Sequence, residues 1–314
     1  MSARRRPPRL QPGMTLGVVA PSGPVLERSV LHRGVAALEG LGFRVELAPH
    51  VRDVYGYLAG RDADRAADLL AMLERDDVDA VICLRGGYGA IRTVMALDRD
   101  RLRALATRPP KPFVGYSDIT VLHAVLGREL GWTTFYGPMV ASFADVSAYT
   151  VDGFRRALMA TEPFAIPPDP DDPYVETLVP GAAEGALAGG CLSLVVALLG
   201  TPWELDLRGT IFCFEDVHEQ PYGIDRMLAQ LITAGKIQGC AGIVVGEHAD
   251  CAARGPSSLG LEQVFDDLLR PLGIPTLYHL PIGHGEHLAT LPLGARARLD
   301  ASARTLTVLE SGVR

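Results

Sequence analysis

The tripeptide Tyr116-Ser117-Asp118 stands where a short apolar run, Phe113-Val114, gives way to a helical periodicity at Ile119, Leu122, Val125 and Leu126. A serine on such a strand-to-helix turn lifts its hydroxyl clear of the sheet. The backbone N–H groups that follow it point outward at the positive end of a helix. Acyl transfer needs both features, a presented nucleophile and donors for the developing oxyanion. Serine is also a good helix cap. The sequence leaves both readings open: Gly115 precedes Ser117 by two, but Ile119 stands where an elbow pattern has its second glycine.

A serine nucleophile needs a base, and the base needs an orienting acid. Of eight histidines, His32 and His50 have ordinary surface contexts, and His123 is expected to point along its helix. His284 differs. In Leu280-Pro-Ile-Gly-His-Gly-Glu-His-Leu-Ala-Thr-Leu-Pro-Leu-Gly294 it has glycine on both sides, as in a loop that presents a side chain, and His287 is its local competitor. The acid is sought in Thr210-Ile-Phe-Cys-Phe-Glu-Asp-Val-His-Glu219, an apolar strand that ends in Glu215 and Asp216. A carboxylate continuing a buried strand meets a cation or a ring N–H, unless it turns out to water. In Leu84-Arg-Gly-Gly-Tyr-Gly-Ala90, between an apolar strand and a helix, glycines let backbone N–H groups approach a ligand. The segment reads as an oxyanion donor or a phosphate cradle, and it lacks both Gly-x-Gly-x-x-Gly spacing and a following Lys-Ser/Thr. No His-Glu-x-x-His pattern or cysteine cluster is present, so no catalytic metal and no cofactor are expected.

Strand and helix signals alternate in the first half of the chain. Strands are expected at Leu16–Ala20, Arg44–Leu47, Ala80–Leu84 and Phe113, and helices at Val30–Leu41, Asp62–Leu73 and Ala90–Leu97. Such alternation implies a parallel sheet covered by helices, with ligands at the carboxyl ends of its strands. Five prolines between Thr161 and Pro173 mark a linker. Beyond it, helices at Leu192–Leu199, Tyr222–Ala234 and Leu261–Leu269 mix with strands at Thr210–Phe214, Gly242–Val245, Ala297–Leu299 and Thr305–Leu309.

The 314 residues suffice for two ordinary domains, and 48% hydrophobic with 21% charged residues describe a globular chain with ample core material. A net charge of −7 argues against nucleic acid or an anionic membrane as partner. An odd cysteine count, five, fits a reducing compartment. The basic N-terminus lacks the apolar core of a signal peptide, and no apolar run reaches the length of a membrane span. The expected location is the cytoplasm.

Taken in order, seven segments resemble the LD-carboxypeptidase family of serine peptidases, which includes muramoyltetrapeptide carboxypeptidases and the microcin C immunity peptidase. They are Val19-Ala-Pro-Ser-Gly23, Leu84-Arg-Gly-Gly-Tyr-Gly89, Gly115-Tyr-Ser-Asp118, Tyr136-Gly-Pro-Met139, Leu187-Ala-Gly-Gly190 with Leu199-Gly-Thr-Pro202, Phe212-Cys-Phe-Glu-Asp216 with Pro221-Tyr-Gly-Ile-Asp-Arg-Met-Leu228, and Gly283-His284 with Leu291-Pro-Leu-Gly294. The resemblance implies Ser117 as nucleophile, His284 as general base and Glu215 as orienting acid. It implies an oxyanion hole made by the backbone N–H groups of Asp118 and Gly87. The implied architecture is α/β: a flavodoxin-like parallel-sheet domain over residues 1–160, a proline-rich linker over 161–178 and a mixed α/β domain over 179–314.

The implied reaction is hydrolysis of the L,D-peptide bond that releases terminal D-Ala from murein tetrapeptide in cell-wall recycling, by a homodimer. The immunity branch, which hydrolyses acyl-sulfamoyl-adenylates, is the alternative within the family. A non-catalytic α/β ligand-binding protein is the alternative outside it. One departure stands out: Cys191 follows Gly189-Gly190 where many relatives carry asparagine.

Overall fold

A computed structural model describes residues 4–255 and 257–314. They form two compact units. The first takes the chain up to Thr161, then Thr290–Gly294 and Gly312–Arg314; the second takes Glu162–Ala289 and Ala295–Ser311.

In the first unit, β1 (Thr15–Val19), β2 (Arg44–Leu47), β3 (Ala80–Cys83), β4 (Phe113–Gly115) and β5 (Thr134–Tyr136) are parallel, in the order 2-1-3-4-5. This is the flavodoxin-like order, whose ligand crevice lies at the carboxyl ends where the winding reverses, between β1 and β3. A sixth strand, Leu291–Leu293, lies antiparallel along β5. β3 reads Ala-Val-Ile-Cys and is buried throughout, as a strand covered on both faces must be. The helices are α1 (Arg28–Gly40), α2 (Asp62–Glu74), α3 (Ala90–Ala96), α4 (Arg99–Ala104), α5 (Thr120–Glu129) and α6 (Ala148–Leu158). α2 buries Ala66, Leu69, Leu70 and Leu73, the stripe its periodicity marks. The helical periodicity that follows Ser117 begins as a 3-10 turn, Ser117–Ile119, and turns α-helical at Thr120.

The second unit is built on a mixed eight-stranded sheet. Its strands are β6 (Phe164–Ile166), β7 (Glu176–Val179), β8 (Ala182–Cys191), β9 (Thr210–Val217), β10 (Gly242–Ala249) and β11 (Thr276–Leu280). Counting the returning strand as β12, β13 (Arg296–Asp300) and β14 (Thr305–Val308) follow. The order is β6-β14-β13-β8-β9-β10-β11-β7, with β8 to β11 mutually parallel. Helices α7 (Leu192–Ala197), α8 (Pro221–Thr233) and α9 (Leu261–Leu268) pack with Phe212, Phe214, Ile224, Leu228 and Ile243 in one core.

The segment expected as a linker contributes β6 and β7, the two edge strands. Edges tolerate the prolines that surround them, because an edge strand has one unpaired side. β8 was not expected as a strand, since Ala-Ala-Glu-Gly-Ala-Leu-Ala-Gly-Gly-Cys lacks β-branched residues. Its glycines answer to close packing: a Cβ on Gly189, at φ 130°, would fall 1.9 Å from the Cys213 carbonyl oxygen.

Candidate active site

Ser117 follows the carboxyl end of β4 with φ 65°, a left-handed backbone that costs a non-glycine residue roughly 1–2 kcal/mol. Its N–H donates to the Tyr136 hydroxyl at 3.0 Å, and its carbonyl accepts from Thr120 Oγ1 at 2.7 Å. Those bonds hold the strained turn. Tyr116 and Ile119 occupy the cap positions of the 3-10 turn and of α5, and neither makes a side-chain cap bond. Ser117 is therefore not spent as a helix cap.

The glycine loop after β3 meets this turn directly. A Cβ on Gly86 would lie 2.8 Å from Ser117 Cβ and 2.9 Å from its Oγ, so only glycine allows the approach. Gly87 follows with φ 107°, and the Gly86 carbonyl accepts from the Gly23 N–H at 3.0 Å. Gly87 thus belongs to a loop tied to the β1 carboxyl end and packed on the serine. The N–H groups of the 3-10 turn begin at the same place, and the first ones of any helical turn lack a partner within it.

In the second unit, β9 carries Glu215 and Asp216 to opposite faces by its two-residue alternation. Glu215 is fully buried, and its Oε2 lies 2.7 Å from His284 Nδ1. A carboxylate oxygen only accepts, so Nδ1 carries the proton and Nε2 becomes the ring's accepting atom. Gly283 makes the approach possible: at φ 135°, a Cβ there would fall 2.7 Å from Glu215 Oε2. The competitor His287 is engaged elsewhere, with Nε2 2.9 Å from Asp171 and 3.7 Å from Asp169.

Asp216, buried on the other face, accepts from the Ser193 N–H at 2.7 Å and the Val217 N–H at 2.9 Å. Burial raises its carboxyl above the usual range. Cys191, opposite Glu215 in the β8–β9 register, turns its thiol to Asp216 at 3.4 Å. The thiol also lies 3.3 Å from Ser193 Oγ, and burial raises it well above the usual thiol range.

Other titratable groups are structural or lie beside the pair. His123 departs from expectation. Helical side chains lean toward the N-terminus, so its Nε2 reaches back to the Gly115 carbonyl at 2.8 Å, and burial lowers its pKa to about 4. Neutral at working pH, it braces the end of β4. Burial pushes the Glu247 carboxyl, beside Gly285, up to about 7. Among the described residues, His50–Asp53–Asp64 and Asp169–Asp171–His287 bring side-chain donors close enough to share an ion; neither set includes Ser117, Glu215 or His284. Sequence reasoning missed Tyr136, Ser22 and Arg65 as parts of the serine's surroundings. Tyr136 and Ser22 lie in segments that carry the resemblance, but nothing in their spacing shows what they bond.

Residues 16–137 match the LD-carboxypeptidase N-terminal domain, and residues 184–299 match the LD-carboxypeptidase C-terminal domain. The chain belongs to the LD-carboxypeptidase family. It is similar to a probable murein peptide carboxypeptidase of Bacillus subtilis, with 40% identity over 99% of this chain and 96% of the relative. Its fold matches the crystal structure of a muramoyltetrapeptide carboxypeptidase from Oxalobacter formigenes at TM-score 0.80, with 30% identity, covering 94% of this chain and 97% of that one. It also matches an MccF-like protein from Bacillus anthracis at TM-score 0.87 and 25% identity, covering 97% and 99% of the two chains. As a member of this family the protein is a serine-type carboxypeptidase, with the two-domain α/β architecture of these relatives. Among the described residues, no helix is long and apolar enough to cross a membrane.

Proposed function

We propose that this protein is a murein tetrapeptide carboxypeptidase that hydrolyses the L,D-peptide bond to the terminal D-Ala, using Ser117, His284 and Glu215. The observation that carries the reading is the 2.7 Å contact between His284 Nδ1 and the buried Glu215 carboxylate. It is the orienting half of a serine-peptidase triad. Ser117, strained at the head of its turn, supplies the nucleophile; the reading requires its Oγ to come within hydrogen-bond reach of His284 Nε2 during turnover.

In the first half-reaction, Ser117 Oγ attacks the scissile carbonyl carbon while His284 Nε2 takes its proton. The N–H groups of Asp118 and Gly87 receive the oxyanion. The C–N bond then breaks, His284 returns the proton to the leaving amine, and D-Ala departs. In the second, water adds to the acyl-serine as His284 takes a proton, and collapse frees the tripeptide carboxylate and Ser117. Glu215 keeps the ring oriented and balances the imidazolium that forms twice per cycle. No step calls for a metal.

Murein peptide is preferred over an acyl-sulfamoyl-adenylate because relatives named for murein peptides are the more similar in sequence, at 40% and 30% against 25%. The reading places the reaction in the cytoplasm, as five buried cysteines, none of them in a disulfide, favour, on recycled wall peptides, with a homodimer as the expected assembly. Purified tetrapeptide incubated with the protein should yield stoichiometric free D-Ala and tripeptide. Hydrolysis of an aminoacyl-sulfamoyl-adenosine with no D-Ala release would move the protein to the other branch, and neither activity would refute the reading.

A further inference from the structure

Asp118, immediately after the nucleophile, is only 1% exposed. Its Oδ2 accepts the Ala90 N–H at 2.7 Å, at the start of α3, and the hydroxyl of Ser22, which is fully buried after β1. Both partners belong to the loops that set Gly87. Ala90 is three residues beyond it in the same glycine segment, and Ser22 precedes Gly23, whose N–H holds the Gly86 carbonyl at 3.0 Å. Arg65, 2% exposed, closes the frame by donating to the Pro21 carbonyl at 2.8 Å and the Gly89 carbonyl at 2.9 Å. Thr93 Oγ1 donates to the Pro21 carbonyl as well, at 2.7 Å. The space is filled: a Cβ on Gly89 would come within 2.7 Å of the Arg65 guanidinium.

We propose that the Asp118 carboxylate is a positioning residue that fixes the two oxyanion donors relative to each other. This rests on the serine-peptidase reading above. One donor, the Asp118 N–H, is on the residue itself; the other, the Gly87 N–H, is on the loop that its side chain holds through Ala90 and Ser22. A hole made of two N–H groups from different strand ends is only as good as the distance between them. Here a single residue ties both ends, and a buried carboxylate accepting two bonds is a stiff tie. The Arg65 cation offsets the negative charge that the tie brings near a developing oxyanion, and burial keeps the Asp118 carboxyl above the usual range. Asparagine at 118 can place its amide oxygen where Oδ2 accepts both bonds, but it removes the negative charge that strengthens them and sets an NH2 where the other carboxylate oxygen was, so the tie loosens.

The test compares wild type with Asp118→Asn and Ser22→Ala on murein tetrapeptide and on a tripeptide boronic acid whose boron replaces the scissile carbonyl carbon. Ser117 adds to that boron to give a tetrahedral anion that occupies the hole. Loss of one oxyanion donor costs 10²–10³ in turnover in known cases, and a displaced donor costs part of that. For Asp118→Asn the expectation is a fall in kcat of about tenfold to a hundredfold with KM changed less than threefold, and a parallel loss of boronate affinity. Binding of the tripeptide product should not change. Ser22→Ala, which removes one tie from a side chain that touches no substrate, should move the same two quantities in the same direction by about two- to tenfold. If the variants lower Tm while kcat and boronate affinity stay within twofold of wild type, the carboxylate is merely structural and the proposal fails. Should Asp118→Asn not fold, Ser22→Ala alone decides by the same criteria. Failure of the underlying reading looks different: Ser117→Ala would then retain activity and boronate binding, whatever the other variants do.

Discussion

Replacing Glu215 with glutamine, beside the parallel change Asp216→Asn, separates two adjacent buried acids that the sequence alone cannot rank. Glu215 is fully buried with one oxygen 2.7 Å from His284 Nδ1. Glutamine preserves the shape and can still accept from the ring N–H through its oxygen. It removes the negative charge that stabilises the imidazolium, and its NH2 can face Nδ1 and favour the wrong tautomer. The comparable change in another serine peptidase costs about 10⁴ in kcat, so the expected loss is about 10²–10⁴, or roughly 2.7–5.5 kcal/mol of transition-state stabilisation. Asp216 faces away, to the N–H groups of Ser193 and Val217. Its asparagine variant keeps one acceptor and unsettles the other contacts, costing about 1–3 kcal/mol of stability, with turnover reduced less than tenfold. The assay is initial-rate D-Ala release from tetrapeptide under kcat/KM conditions, with both proteins shown folded by thermal melting at the assay temperature. A larger loss for Asp216→Asn than for Glu215→Gln, or a Glu215→Gln enzyme within tenfold of wild type, would refute the assignment of the acid.

Two further outcomes follow from packing and titration. Gly86→Ala places a methyl group 2.8 Å from Ser117 Cβ, so the loop or the serine turn must move; kcat/KM should fall at least a hundredfold while the melting temperature drops only modestly, and near-wild-type turnover would show that the loop is not held against the serine. Burial raises the Glu247 carboxyl to about 7 against an ordinary 4.5, so between these values the folded protein holds a proton that the unfolded chain has lost, and stability falls as pH rises through that window. Glu247→Gln removes this slope: its melting temperature relative to wild type should climb from pH 5 to pH 8, and a difference independent of pH would contradict the buried state of the carboxyl.

What the sequence revealed depended on how local each feature was. The Phe113 strand, the Asp62–Leu73 helix and the serine turn were legible because periodicity and a strand-to-helix switch are written in neighbouring residues. β8 was not, because its Ala and Gly residues are selected by the carbonyl of Cys213 across the sheet rather than by any strand propensity. The prolines of the supposed linker were read correctly as unfit for a central strand, yet β6 and β7 are edges. His284 stood out by its flanking glycines, but His287 remained its local competitor; Gly283, which admits the Glu215 carboxylate, and Asp171, which engages His287, distinguish them in the structure. Asp118 escaped notice as a side chain because its partners, Ser22 and Ala90, lie 96 and 28 residues away. Such partners come together only when the sheet order β2-β1-β3-β4 is formed.

The most direct measurement of the central claim is covalent trapping of the nucleophile. Wild-type protein treated with a fluorophosphonate should gain a single adduct by intact mass, and peptide mapping should place it on Ser117. The adduct should be absent in Ser117→Ala and form at least a hundredfold more slowly in His284→Ala, in step with the loss of D-Ala release. An active wild-type enzyme that forms no adduct, or forms it on a residue other than Ser117, would contradict the account.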